Sequence, residues 1–62
     1  MEILTQYTYE DKWVLRSEEE ILEIIEEEVG DADPKGVLSY VKQNIADGKT
    51  ITVGRCRLKK KS

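Results

Sequence analysis

The side chains able to do chemistry are few, and they sit apart. Cys56 is the one thiol, and no histidine occurs in the 62 residues. Arg55 and Arg57 flank that cysteine, an arrangement that can lower a thiol pKa and create a nucleophile. Without histidine there is no ordinary base for a Cys or Ser nucleophile, and no convergent pair of acids can be named. The expected role of Cys56 is therefore a small apolar core residue, and no enzymatic activity is expected. One cysteine and no histidine also leave out an internal disulfide and a Cys/His zinc site. No cofactor and no metal are expected.

Charge carries more information. Residues 18–33 hold nine carboxylates and no base, whereas residues 55–61 hold five bases and no acid. Glu19, Glu23, Glu26 and Glu27 form a candidate protein-docking set, with a plain solvated helix face as the alternative. Glu19 with Glu23, and Glu23 with Glu27, are like charges four apart, each destabilising a helix by a few tenths of a kcal/mol. A partner with a basic surface would remove that repulsion. A divalent cation fits less well, because its oxygen ligands must converge and a straight helix fans them apart. Arg55, Arg57, Lys59 and Lys60 can bind phosphates with release of counterions, or can simply protect a strand edge from aggregation. The net charge of −3 argues against nucleic-acid binding over the whole surface but leaves a local basic edge. Tyr7, Tyr9 and Trp13 suit either core and edge packing or a stacking platform for single-stranded nucleic acid. In the protein-binding reading this aromatic hairpin, or the β edge, supplies contact area.

These groups need elements to hold them. Residues 2–9 alternate Ile3, Thr5, Tyr7 and Tyr9 against Leu4, Gln6 and Thr8, which predicts a first strand. After the polar break at Glu10 and Asp11, residues 12–16 read as a second strand paired in a hairpin. Ser17 and Glu20 form a capping box that starts a helix. Ile21, Leu22, Ile24, Ile25 and Val29 cover an arc of about 160° on it, with the glutamates opposite and Gly30 as the expected stop. Asp33-Pro34 starts a second helix, whose stripe is Val37, Leu38, Val41 and Ile45, with Tyr40 at its edge and Gly48 at its end. Lys35, Ser39, Lys42 and Gln43 lie on the outward face. Residues 50–58 predict the last strand, with a bulge or bend at Gly54 to bring Ile51, Val53, Cys56 and Leu58 to one side. In that arrangement Arg55 and Arg57 face outward together. Residues 59–62 read as a frayed tail.

The expected fold is a single α+β domain in ββααβ order, a three-stranded antiparallel sheet packed on two helices. A chain this short buries only about 60% of its unfolded surface, and small domains usually add disulfides, a metal or a second copy. The first two aids are missing, so self-association into a homo-oligomer is expected. The amino terminus has no basic region and no long apolar run, so no signal peptide is expected. No stretch approaches the roughly 20 apolar residues of a membrane span. The chain is expected to be soluble and cytoplasmic, with no membrane partner.

In the order of its parts, residues 13–60 resemble the small winged-helix DNA-binding proteins of the excisionase type. WVLRSEEEILEII resembles their opening strand and first helix, DPKGVLSYVKQNIADGK their second helix, and TITVGRCRLKK their wing. The resemblance implies DNA contacts from Lys35, Ser39 and Lys42 on a recognition helix and from Arg55 and Arg57 on the wing. The small size and acidity of the chain suit an accessory protein of a phage or mobile element. Helix one is more acidic than that family's pattern, and helix two has only two lysines. The preferred expectation is therefore a non-enzymatic protein-binding regulator or inhibitor, with DNA binding through residues 34–47 and 50–60 second.

Overall fold

Alternation in ILTQY turns Ile3 and Thr5 inward along the first strand, β1 (Ile3–Tyr7), while Leu4 and Gln6 take the other face. The computed structural model describes residues 2–61. After β1 it continues with β2 (Val14–Arg16), α1 (Glu18–Glu28), α2 (Pro34–Ala46), β3 (Ile51–Val53) and β4 (Cys56–Lys60). Both helices start where local chemistry predicts. The Ser17 hydroxyl accepts from the Glu20 N–H at 3.2 Å, and the Glu20 carboxylate accepts from the Ser17 N–H at 3.0 Å. Each bond satisfies an N–H that the helix leaves without a partner. Asp33 caps α2 by backbone geometry alone, with Pro34 in the first turn.

The helix ends differ from each other. Gly48 closes α2 with φ of +89°, the left-handed geometry that glycine adopts without steric cost. α1 instead ends at Val29, whose N–H donates to the Ile25 carbonyl, and Gly30 has no positive φ.

The sheet has four antiparallel strands in the order β2-β1-β4-β3, not three, and the chain runs ββααββ. The expected final strand breaks at Gly54. A two-residue turn, Gly54-Arg55, reverses the chain so that Val53 pairs with Cys56 and Ile51 with Leu58. Gly54 has φ of +57° and Arg55 has no positive φ, the pattern of a type II′ hairpin with glycine first. The shift in apolar parity at Gly54 thus comes from chain reversal, not from a bulge. The four apolar side chains still share one face. The expected tail is also ordered as far as the structure describes it. Lys59 and Lys60 belong to β4, which pairs with β1 from Tyr7↔Cys56 to Ile3↔Lys60. The Lys61 N–H donates to the Glu2 carbonyl at 3.1 Å. Ser62 lies outside the described residues.

The helices cover one face of this sheet. Ile3, Ile21, Ile25, Leu38, Val41, Ile45, Val53 and Leu58 form the buried core, with Leu22, Val29, Val37 and Ile51 packed at its margin. Thr5 is the one buried polar residue among those described. Its hydroxyl accepts from Arg16 Nε at 2.8 Å and donates toward the Val14 carbonyl at 3.4 Å. No described side-chain polar atom is buried without a partner, as a stable interior of this size requires.

Candidate binding surfaces

The fold sorts the carboxylates of α1 into two groups. Three are engaged by cations elsewhere in the chain. Glu18 accepts from Lys42 Nζ at 3.1 Å, Glu20 Oε2 lies 4.0 Å from Arg16 Nη1, and Glu28 Oε2 lies 3.5 Å from Arg55 Nη2. Glu19, Glu23, Glu26 and Glu27 are exposed and have no ion pair among the described residues. At about 100° per residue these four fall in one stripe about 100° wide, opposite buried Ile21, Ile24 and Ile25. The last turn of α1 contains no base, so Glu26 and Glu27 also sit at the end where the helix dipole disfavours negative charge.

Glu28 is engaged most completely. It accepts from the Arg55 backbone N–H at 2.7 Å, and that bond first, then the Arg55 side chain, holds its carboxyl below the ordinary carboxylate range. Its side chain is only 8% exposed. A charge read as part of an acidic run therefore ties α1 to the β3–β4 turn. Glu20 is lowered in the same direction, first by the Ser17 backbone N–H and then by the Ser17 hydroxyl.

The aromatic residues divide between two places. Tyr7 and Tyr9 stack with ring centroids 5.1 Å apart at the far end of β1, and Tyr9 is 74% exposed. The Tyr7 hydroxyl is pushed above its ordinary value first by burial, then by Cys56, Glu27 and Glu28. Tyr7 pairs with Cys56 of β4, and the Arg16 guanidinium lies 5.9 Å from its ring centroid. Trp13 lies apart from the tyrosine pair, over the sheet face that the helices leave bare. Arg57 Cζ is 5.2 Å and Lys59 Nζ 4.2 Å from its ring centroid, cation–π distances. Leu4 pairs with Leu15 and with Lys59 on that face, and Arg57 donates to the Gln6 side chain. Leu15 is 49% exposed.

The residues of the winged-helix alternative are dispersed. Lys35 and Ser39 are exposed on α2, whereas Lys42 is held by Glu18 and Arg55 by Glu28. Arg57 and Lys59 sit on the bare sheet face, and Lys60 has the opposite parity in β4, across from Ile3. Arg55 and Arg57 are both exposed with Cys56 inward, but Arg55 sits in the turn and pairs with Glu28 of α1, whereas Arg57 lies on the bare sheet face. Cys56 is fully buried, and burial is the main influence pushing its thiol pKa up, which disfavours the nucleophilic thiolate. No three His, Cys, Asp or Glu side chains converge as metal ligands among the described residues. No helix there is long and apolar enough to cross a membrane.

Comparisons with protein-family models, with curated proteins and with solved structures find no significant match.

Proposed function

We propose that this chain is a small non-enzymatic protein-binding regulator whose recognition face is the stripe Glu19, Glu23, Glu26 and Glu27. Tyr7 and Tyr9, stacked on each other with Tyr9 exposed, supply further contact area. The observation that carries this reading is the sorting of charge on α1. Every carboxylate that helps the fold has an internal partner, and those without one are gathered on a single solvent face. Repulsion at four-residue spacing and the unfavourable dipole at the last turn make that gathering a net cost to the free chain. A basic surface on a partner protein reverses both effects and speeds encounter by long-range attraction.

The second reading is duplex DNA binding, carried by Arg57 and Lys59, which have no carboxylate partner among the described residues. It has less support, because Lys42 and Arg55 are already engaged and the other cations are spread over different faces. Capture from a lysate of the source cells, with and without nuclease, tests both. The wild-type chain is expected to retain a protein in both arms. The variant Glu19→Lys, Glu23→Lys, Glu27→Lys is expected to lose it while its far-UV circular dichroism is unchanged. Retention by that variant would remove the stripe from the interface, and capture that nuclease abolishes would favour the DNA reading.

A further inference from the structure

The face of the sheet turned away from the helices carries Leu4, Gln6, Trp13, Leu15, Arg57 and Lys59. It is apolar on its β2–β1 side, at Leu15 and Leu4, and basic along the neighbouring strand β4. Glu2, of the same parity as Leu4, is paired with Lys61 at 3.9 Å. Among the described residues, no carboxylate forms an ion pair with Arg57 or Lys59. Their side chains are two residues apart on a strand, a spacing of about 7 Å. On α1, Glu19, Glu23 and Glu27 recur every four residues, a rise of about 6 Å per step. The unpaired cations of one face and the unpaired anions of the other thus match in sign and in spacing.

We propose that the acidic stripe of α1 from a second copy docks on this sheet face, with its glutamates against Arg57 and Lys59 and its side-chain methylenes over Trp13 and Leu15. Packing of two such sheet faces on each other is the other way to cover the leucines. It would bring Arg57 and Lys59 of both copies into one desolvated layer with no anion to neutralise them, which is costly. The helix-on-sheet contact uses a different patch on each copy, so each added copy leaves one stripe and one sheet face free. Self-assembly occupies the carboxylates assigned above to a partner, so the two compete. That competition rests on the proposed function; the self-contact does not.

Trp13 is the only tryptophan, so its emission reports directly on whether this face is covered. Sedimentation velocity and tryptophan fluorescence on the purified full chain test the proposal. At low salt, association should grow with concentration and the emission should shift to the blue. High salt should reverse both, as screening requires. Glu23→Lys with Glu27→Lys should abolish association, and so should Arg57→Glu with Lys59→Glu. An equimolar mixture of the two variants should restore it, because each then presents the complement of the other. If the reversed sheet variant is unfolded by circular dichroism, Arg57→Gln with Lys59→Gln replaces it and should associate at least tenfold more weakly than wild type. A chain that stays monomeric at low salt overturns the self-contact, whatever the lysate capture shows. So does association that survives reversal of the stripe, which would indicate sheet-on-sheet packing. A blue shift produced only by an added single-stranded oligonucleotide, with the chain still monomeric, overturns it in favour of a nucleic-acid face.

Discussion

Glu28 shows how much one carboxylate can do when the fold gives it a donor. Its oxygen accepts from the Arg55 N–H at 2.7 Å, and Gly54 beside it has no side chain to obstruct the approach. A Cβ built on Gly54 would lie 2.7 Å from Glu28 Cβ, and the backbone there has φ of +57°. Gly54→Ala should therefore destabilise the chain by about 1–3 kcal/mol, from backbone strain and steric conflict together, measured by urea denaturation; a loss below about 0.5 kcal/mol would show that the clasp is loose. The lowered pKa of Glu28 gives a signed pH effect. A carboxyl lowered in the folded state contributes stability that is present above its unfolded pKa and is lost as pH falls through the folded one. Glu28→Gln should accordingly flatten the loss of stability on acidification below the ordinary carboxylate range. An unchanged acid limb would assign that loss to other groups. Neither the clasp nor its glycine can be read from local sequence, because Glu28 and Arg55 are 27 residues apart.

At the level of elements, local signals and the β1–β2 hairpin were legible, and the pairings of β4 were not. Ser17 with Glu20, and Asp33 with Pro34, mark helix starts by chemistry confined to a few residues, and both helices begin there. Ser17→Ala should cost about 1 kcal/mol and remove part of what lowers the Glu20 carboxyl. Thermal unfolding monitored by circular dichroism would show the fall, and an unchanged midpoint would indicate that tertiary packing alone sets the start of α1. Gly54 was ambiguous for a physical reason. A glycine at a parity shift serves a bulge and a hairpin turn equally well, and only the pairing of Val53 with Cys56 distinguishes them. The fourth strand, the order of β4 beside β1, and the ordering of Lys59 and Lys60 all follow from that pairing. Whether Trp13 served core, edge or an open face was likewise not legible, since its position on the bare face depends on β4 as its neighbour.

Across the whole molecule, the acid and the base lie on different layers: the stripe on the outer side of α1, and Arg57 with Lys59 on the bare side of the sheet. The run of acids along the chain was plain in the sequence. Its division into three carboxylates that bind the fold together and four that do not was visible only once Lys42, Arg16 and Arg55 had positions. That division is the basis of the functional proposal, which holds that the stripe is kept for a partner and not for the fold. The most direct test is urea denaturation, at neutral pH and at a protein concentration where the chain is monomeric by sedimentation, of the variant Glu23→Gln, Glu26→Gln, Glu27→Gln. Removing like charges at helical spacing, two of them at the disfavoured end of the helix dipole, should raise stability by about 1 kcal/mol. A fall of about 1 kcal/mol or more would show that these carboxylates serve the fold after all.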